Sequence, residues 1–245
     1  MAAEKVAFIT GGNKGLGLET ARQLGQLGIT VVIGSRSLEK GKAAVEKLKA
    51  DGVHAEAVRF DITNAADYQE VYSYFEKKYG RLDILINNAG ISKEEFMAGN
   101  RTSSTSAEVL HETFDTNFFG AVQLTQTLLP LIRKSPAGRI VNLSSILGSL
   151  TLHADPNSPI YNAKAFAYDA SKAALNAFTI HLAHEVKDTK IKINSAHPGW
   201  VKTDMGTDAA PMEIPDGAKT SVALATLPED GPTGAYIHLG ETLPW

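Results

Sequence analysis

Short apolar runs rich in β-branched residues alternate along the chain with longer segments of helical periodicity. The runs predict seven strands, at Val6–Thr10, Ile29–Ile33, Ala57–Phe60, Leu82–Ile86, Arg139–Leu143, Ile191–Ala196 and Ala235–Leu239. The segments between them predict helices at Leu16–Leu27, Leu38–Ala50, Ala65–Tyr79, Ala107–Lys134, Ala163–Lys187 and Asp216–Ala225. Because this spacing suits right-handed crossovers between parallel strands, the pattern predicts a doubly wound α/β fold: a seven-stranded parallel sheet with helices on both faces.

Polar residues at the ends of these segments support the boundaries. Ser37 and either Thr63 or Asn64 stand where helix N-caps belong, and Gly80 stops the third helix. Two long loops are predicted, at Ile146–Ile160 and Gly199–Pro215. Ligands of doubly wound sheets bind at the carboxyl ends of the strands, where such loops collect. No linker divides the chain, so residues 1–245 are expected to form one domain.

Composition excludes several classes of chemistry. The 24 Lys and Arg residues nearly balance 27 Asp and Glu, for a net charge of −3, and no basic block favours a nucleic-acid partner. The chain has no cysteine, which excludes disulfides, thiolate metal sites and a cysteine nucleophile. His181 and His184 lie three apart without a third ligand, so no metal site is expected. Without a long apolar stretch or a leader pattern, we expect no membrane partner and a cytoplasmic location.

A glycine-rich segment, Thr10-Gly11-Gly12-Asn13-Lys14-Gly15-Leu16-Gly17, follows the first predicted strand. Glycines there allow a tight turn that aims backbone N–H groups and a helix N-terminus at a pyrophosphate. The spacing departs from the commoner Gly-x-Gly-x-x-Gly pattern, and an ordinary glycine-rich turn is the alternative interpretation.

The end of the second predicted strand indicates which dinucleotide would bind. Where an acidic residue usually accepts from the ribose hydroxyls, this chain has Ser35 and Arg36. A serine hydroxyl and an arginine fork bind a 2′-phosphate, and Lys14 adds a second positive charge. The sequence therefore predicts NADPH/NADP as cofactor; the alternative is that Lys14 and Arg36 are solvated surface charges.

A Tyr-x-x-x-Lys pair, which places both side chains on one helix face, occurs twice. Tyr74 and Lys78 fit a solvent-facing stripe, whereas Tyr168 and Lys172 follow the fifth strand and a long loop. A phenol has a reference pKa of about 10, and an ammonium one turn away would stabilise its anion. Tyr168 is therefore predicted to protonate a carbonyl oxygen as hydride reaches the carbon.

A second hydrogen-bond donor should steady the developing alkoxide. Ser145 at the end of the fifth strand is the preferred candidate, and Ser144 is its rival. Either hydroxyl could instead cap local backbone.

Taken together, these motifs resemble the short-chain dehydrogenase/reductase family, and its carbonyl-reductase-like branch in particular. The resemblance runs from about Val6 to Gly199 and includes the glycine loop, Asn87-Asn88-Ala89-Gly90, Asn117, Ser145, Tyr168, Lys172 and Pro198-Gly199. The Gly-Gly-Asn-Lys-Gly loop and the final Leu243-Pro244-Trp245 resemble that branch, whose members usually prefer NADPH. The family fold is a single Rossmann-like domain.

The resemblance also implies individual roles. Asn117 would hold a proton-relay water to Lys172, Asp61 would contact the adenine, and Thr203 would bind the carboxamide. The implied catalytic residues are Asn117, Ser145, Tyr168 and Lys172. The residues expected to bind the cofactor are Gly11, Asn13, Lys14, Gly15, Leu16, Gly17, Ser35, Arg36, Asp61, Ile62, Asn88, Ala89, Gly90, Tyr168, Lys172, Pro198, Gly199, Val201 and Thr203.

The chain departs from the family between Ser145 and Tyr168, where the spacing is longer than usual. This predicts an insertion at about residues 150–167 over the active site, and it leaves open whether the protein is a monomer or a homo-oligomer. Apolar residues after the functional strands would line the substrate pocket, although each could equally belong to the core: Ile91, Phe96, Ile146, Leu147, Tyr161, Trp200 and Met205.

The sequence thus predicts reversible, NADPH-dependent reduction of an apolar or aromatic ketone or aldehyde, a small-molecule partner. Two alternatives stay open. One is a dehydrogenase of a single metabolite, such as a sterol, sugar or acyl intermediate; the other is a dinucleotide-binding regulator without turnover.

Overall fold

A computed structural model describes residues 5–94 and 100–245 of the chain. Its sheet is built from β1 Val6–Thr10, β2 Thr30–Ser35, β3 Ala55–Arg59, β4 Ile84–Asn87, β5 Arg139–Leu143, β6 Lys192–Ala196, β7 Tyr236–His238 and β8 Glu241–Thr242. The strand order is β3-β2-β1-β4-β5-β6-β7-β8. Strands β1 to β7 are parallel, as predicted. The eighth strand was not predicted; it pairs antiparallel with β7 after a tight turn in which Leu239 and Gly240 have positive φ.

The helices flank the sheet as the periodicity predicts: α1 Gly15–Gln26, α2 Leu38–Ala50, α3 Ala65–Tyr79, α4 Ala107–Phe114, α5 Gly120–Ile132, α6 Leu150–Ala154, α7 Phe166–Glu185 and α8 Ile214–Ala225. Two expectations were wrong in detail. The helix predicted over residues 107–134 is interrupted by a π-helical turn at Asp115–Phe119. The loop predicted over residues 146–160 contains a 3-10 turn at Ile146–Gly148 and then the short helix α6.

Two apolar cores cover the two faces of the sheet. One packs α3, α5 and α7 against the strands, with Phe8, Phe75 and Leu128 fully buried. The other packs α1, α2 and α8 and includes Ile9 and Leu24. Within the part of the chain that the structure describes, no helix is long and apolar enough to cross a lipid bilayer.

The strand order fixes the place of a binding crevice. From β1 the chain continues to β2 and β3 on one side, whereas β4 lies on the other side of β1. The loops that leave the carboxyl ends of β1 and β4 therefore diverge, which opens a crevice above these two strands. The predicted glycine loop and the segment after Asn87 both lie at this crevice.

Candidate active site

Thr10 and Asn88 join the two strand ends at the crevice. The Asn88 side-chain amide donates to the Thr10 carbonyl oxygen at 2.7 Å, and the Asn88 and Ala89 backbone N–H groups donate to the Thr10 hydroxyl at 3.0 and 2.9 Å. A Cβ added at Gly17 would lie 2.5 Å from the Asn88 side-chain nitrogen. The close approach of α1 to β4 therefore requires glycine at this position.

The glycine loop has the geometry of an anion cradle. Helix α1 begins at Gly15, its N-cap residue Lys14 makes no side-chain cap, and its first turn holds no acidic residue. The first N–H groups of α1 are thus directed at the crevice without a capping side chain. A Cβ added at Gly15 would lie 3.8 Å from Thr203 Cγ2, an ordinary van der Waals contact, so the glycine loop faces the loop that carries Thr203. These features fit a pyrophosphate.

Ser35 and Arg36, predicted to bind a 2′-phosphate, lie at the end of β2, whereas Lys14 is paired across the crevice. Ser35 is buried at the end of β2, and Arg36 is exposed beside it. Lys14 forms an ion pair with Asp204 at 2.5 Å, which lowers the pKa of Asp204. Both of these side chains are mostly exposed, so the pair links two loops that border the crevice but adds little to stability.

The residues predicted around the adenine are placed at the end of β3. The Asp61 carboxylate accepts from the Thr63 N–H and hydroxyl groups at 3.0 and 2.9 Å, which holds its side chain in a local turn. Ile62 is buried in the core beside α3. Its side chain is therefore not exposed to the crevice, and Ile62 can offer a ligand only backbone groups.

Residues Leu16 and Val201 meet on the opposite wall of the crevice. A Cβ at Gly217 in α8 would lie 2.6 Å from Val201 Cγ2 and 2.9 Å from Leu16 Cδ2. Pro198 is buried, and Gly199 has a φ of +94°, which turns the chain from β6 into the loop that carries Val201 and Thr203.

Helix α7 carries Tyr168 and Lys172 at the end of β5. The Lys172 ammonium donates to the Leu143 carbonyl oxygen at 2.7 Å and lies 5.6 Å from the centre of the Tyr168 ring. Burial lowers the pKa of Lys172 to about 8. Burial also raises the pKa of Tyr168 to about 12, although a hydrogen bond with Ser145 opposes this rise. The pKa of the phenol is therefore raised in this structure, whereas a lowering by Lys172 was expected.

Ser145 is the serine that faces the phenol. Its hydroxyl is partly exposed, accepts from the Leu147 N–H at 3.2 Å and is hydrogen-bonded to Tyr168. The rival Ser144 is only 2% exposed, and its N–H donates to the Ala196 carbonyl oxygen at 2.8 Å. Geometry therefore favours Ser145 over Ser144 as the second donor.

The π-helical turn brings Asn117 to the same site. The Asn117 amide nitrogen donates to the Ile91 carbonyl oxygen at 2.9 Å, and its amide oxygen accepts from the Ile91 N–H at 2.8 Å. A Cβ at Gly90 would lie 3.4 Å from Asn117 Oδ1 and 3.5 Å from Lys172 Nζ. The two polar side chains thus converge above Gly90, a position that fits the predicted water relay. The extra residue of a π turn often marks a functional site.

An apolar cluster formed largely by the predicted insertion covers the phenol. Tyr168 packs with Leu147, Ile160, Ala165, Ile146, Leu152, Ala163 and Met205. Three predicted pocket residues, Ile146, Leu147 and Met205, belong to this cluster. Tyr161 and Trp200 do not, and they are 38% and 51% exposed. Phe96 lies outside the described residues.

Sequence reasoning missed Ile160, Leu152 and Ala163, although all three are apolar residues of the predicted insertion. It also missed His197, whose ring is 8% exposed and whose Nδ1 accepts from the N–H groups of Ile146 and Gly199 at 3.1 and 3.4 Å. Burial and the neighbouring His238 lower the pKa of His197 to about 3. A neutral His197 thus ties the end of β5 to the end of β6.

The second Tyr-x-x-x-Lys pair has a structural role. The Tyr74 hydroxyl donates to Glu56 at 2.8 Å, and the Lys78 ammonium bonds to the same carboxylate. Tyr74 is half-buried on the outer side of β3, so the expected solvent-facing stripe was only partly right. This pair lies away from the crevice.

Comparison with known proteins places the chain in a family. The sequence pattern described as short chain dehydrogenase matches residues 5–214, and the chain belongs to that family. Carbonyl reductase (NADPH) 1 of Homo sapiens is 33% identical over 98% of both chains. The (+)-neomenthol dehydrogenase of Capsicum annuum is 32% identical over 97% of this chain and 96% of that protein.

Solved structures agree with this placement. Salutaridine reductase from Papaver somniferum superimposes with a TM-score of 0.82 at 29% identity, covering 95% of this chain and 99% of that one. The carbonyl reductase Sniffer of D. melanogaster gives a TM-score of 0.82 at 29% identity over 99% of both chains. The predicted resemblance to the carbonyl-reductase-like branch is confirmed.

Proposed function

We propose that this oxidoreductase is an NADPH-dependent carbonyl reductase that converts an apolar or aromatic ketone or aldehyde into the alcohol and can run in reverse. One observation carries the proposal. The Ser145 hydroxyl, the Tyr168 phenol and the Lys172 ammonium converge at the end of β5, beneath an apolar cover and beside the crevice.

The crevice fits NADPH. The uncapped N-terminus of α1, which begins at Gly15, would hold the pyrophosphate. Ser35, Arg36 and Lys14 would hold the 2′-phosphate, because a guanidinium fork and an ammonium both bind phosphate oxygens. The name of the human relative states NADPH, in agreement with this charge argument. Bound NADPH would supply a hydride to the carbonyl carbon.

The proton needed at the carbonyl oxygen comes from Tyr168. Its Oη–H bond breaks as the new O–H bond of the alcohol forms, which leaves a phenolate on the protein. The Ser145 hydroxyl donates a hydrogen bond to the same oxygen and stabilises the charge that develops there. Reprotonation of the phenolate completes the cycle.

Lys172 makes that phenolate accessible. The pKa of Tyr168 is raised to about 12, chiefly by burial, so a positive charge close to the ring is needed for proton release at neutral pH. The Lys172 ammonium is held near the ring by the Leu143 carbonyl oxygen. The route by which the proton returns would run from Lys172 past Asn117, which lies with it above Gly90.

The apolar cover favours an uncharged substrate. Ile146, Leu147 and Met205 surround the phenol, and each apolar contact with the substrate adds affinity without a charged partner. A compact aromatic ketone fits this environment better than a carboxylate.

The experiment that tests the proposal follows the loss of reduced-nicotinamide absorbance with a panel of apolar, aromatic and charged carbonyl compounds. Parallel assays contain NADPH or NADH. We expect turnover with apolar or aromatic ketones or aldehydes, a preference for NADPH, and no turnover with 2-keto acids.

Two results would contradict the proposal. Tight NADPH binding without turnover of any carbonyl compound in the panel would indicate a binding module or a narrow metabolite dehydrogenase. A preference for NADH would contradict the roles of Ser35 and Arg36.

A further inference from the structure

The helix that carries Tyr168 and Lys172 has no cap of its own. Helix α7 begins after Ala165, whose methyl side chain cannot accept a hydrogen bond from the first-turn N–H groups. By contrast, helices α2, α3, α4 and α6 are each capped by the side chain that precedes them, from Ser37, Asn64, Ser106 and Ser149.

The missing cap is supplied from a distant loop. The N–H group of Tyr168 donates to Glu94 Oε2 at 3.1 Å, and Glu94 lies in the segment after β4, 74 positions earlier. The N–H group of Ala165 donates to Asp169 Oδ2 at 3.0 Å. Two carboxyl groups thus bind the start of α7, where the helix dipole favours negative charge.

These carboxyl groups are held in an unusual environment. Within residues 5–94 and 100–245, Glu94 Oε1 and Asp169 Oδ1 are buried without a hydrogen-bond partner. Burial and, less strongly, the charge of Glu94 raise the pKa of Asp169 to about 7, although the hydrogen bond from the Ala165 N–H group and the charge of Lys164 oppose this rise. A serine in place of Ala165 could cap the helix without a buried carboxylate beside Asp169. The need for a cap therefore does not by itself explain why Glu94 is buried here.

The first turn of α7 also holds the insertion, residues 150–167, in place. His153 Nε2 donates to the Leu147 carbonyl oxygen at 2.9 Å and lies 3.3 Å from Asp169 Oδ2. Lys164 Nζ lies 3.0 Å from His153 Nδ1, and the Asn100 side chain donates to the Lys164 carbonyl oxygen at 3.1 Å. Both segments that border the substrate side of the crevice, the one after β4 and the insertion, therefore converge on the first turn of α7.

We propose that Glu94 is a positioning residue: it caps α7 at the N–H group of Tyr168 itself and thereby couples the segment after β4 to the placement of the phenol. The expected effect on kcat rests on the proposed function. The cap itself rests only on the hydrogen bond from the Tyr168 N–H group to Glu94. Contacts of a substrate with the segment after β4 would be transmitted to Tyr168 through Glu94.

The test compares Glu94→Ala with Glu94→Gln. Alanine removes the acceptor, whereas glutamine keeps an acceptor oxygen and removes only the charge. We expect Glu94→Ala to lower kcat about 10- to 100-fold, because small displacements of a reacting group cost this much. Glu94→Gln should restore most of kcat. NADPH affinity, measured by fluorescence titration, should stay at the wild-type value in both variants because Glu94 does not contact the cradle.

Ser106→Ala provides the matched control, because it deletes the side-chain cap of α4. It should lower the melting temperature without changing kcat. Amide hydrogen exchange in the first turn of α7 gives a second readout that does not require turnover. Exchange there should speed up in Glu94→Ala and stay at the wild-type rate in Glu94→Gln and Ser106→Ala.

Unchanged exchange at the start of α7 in Glu94→Ala would overturn the cap, whatever the activity. Faster exchange with wild-type kcat would overturn the positioning role. A wild-type protein without turnover would contradict the proposed function instead, while the exchange data would still decide whether Glu94 caps the helix.

Discussion

The ammonium nitrogen of Lys172 lies 5.6 Å from the centre of the Tyr168 ring, and both side chains are almost completely buried. Burial destabilises the charged form of each group, so the pKa of Tyr168 is raised to about 12 and that of Lys172 is lowered to about 8. Each group can therefore stabilise the charged form of the other, since a phenolate and an ammonium attract one another strongly when water is excluded.

The first prediction concerns the phenol. Tyr168→Phe removes the proton donor but keeps the ring in its apolar cover, so kcat should fall about 10²- to 10⁴-fold while NADPH binding is unchanged. Steady-state kinetics and a fluorescence titration measure the two effects. Tyr74→Phe is the matched control: it should keep full activity, with stability lowered by about 1 kcal/mol because the bond to Glu56 is lost. Substantial turnover by Tyr168→Phe would contradict the mechanism.

Local signals in the sequence were sufficient to predict most of the fold. The bounds of α2 and α3 were predicted to the residue because Ser37 and Asn64 cap their starts and Gly80 ends α3. By contrast, the π turn Asp115–Phe119 that brings Asn117 inward contains neither proline nor glycine, so the sequence indicated one continuous helix. Helix α6 is only five residues long, and its Ser149 cap lies within a segment rich in turn residues.

The site was predictable only where it follows linear motifs. The Tyr168 and Lys172 pair and the glycine loop have fixed spacings, so their convergence could be expected from the sequence alone. Glu94 and His197 act through hydrogen bonds to backbone groups, including ones 74 and 51 positions away, and such contacts leave no trace in local sequence. They depend on how loops pack, which periodicity does not encode.

The second prediction tests the cofactor preference. Arg36→Asp places a carboxylate where the 2′-phosphate would bind, so the KM for NADPH should rise by at least about tenfold while that for NADH falls or is unchanged. Ratios of kcat/KM for the two cofactors measure the change. Arg133→Asp is the control. It makes the same change of charge just after α5, at the amino end of the strands and away from the crevice, so the ratio of kcat/KM for NADPH to that for NADH should not change. An unaltered preference in Arg36→Asp would assign Arg36 to the solvated surface.

The third prediction concerns His197. His197→Leu leaves the N–H groups of Ile146 and Gly199 without their acceptor, which costs about 1–3 kcal/mol and should loosen the ends of β5 and β6 together. We expect kcat/KM to fall about tenfold, whereas His197→Asn, which keeps an acceptor oxygen near the position of Nδ1, should stay close to the wild type. The exposed His184 gives the control variant His184→Leu. Equal activity of the leucine and asparagine variants would contradict this role.

The neutral state of His197 also has a pH consequence. Its pKa is lowered to about 3 in the folded chain, so below about pH 6.5 the unfolded chain binds a proton that the folded chain does not. Stability should therefore decline as pH falls from about 6.5 towards 3. The decline should be smaller in His197→Asn, which thermal unfolding at a series of pH values would show.

The fourth prediction concerns Asp169, whose contribution to stability changes with pH in the opposite direction to that of His197. Its pKa is raised from 3.8 to about 7 in the folded chain, so between these values the folded chain holds a proton that the unfolded chain has lost. The contribution of Asp169 therefore becomes unfavourable as pH rises from about 4 to 7 and stays so above 7. Asp169→Asn keeps an acceptor for the Ala165 N–H and removes this titration, so the variant should be more stable than the wild type at pH 8 and nearly equal to it at pH 4.

A gain of about 1–3 kcal/mol is expected at pH 8 from removal of a buried carboxylate whose Oδ1 has no hydrogen-bond partner. Each kcal/mol corresponds to about 2–4 °C in Tm for a chain of this size. Asp204→Asn is the control with the reverse sign, because Lys14 lowers the pKa of Asp204 and the charged form is the favoured one. Differential scanning calorimetry of both variants at pH 4 and pH 8 separates the cases. A lower Tm of Asp169→Asn than of the wild type at pH 8 would mean that the ionised Asp169 carboxylate stabilises the fold, and it would contradict this prediction.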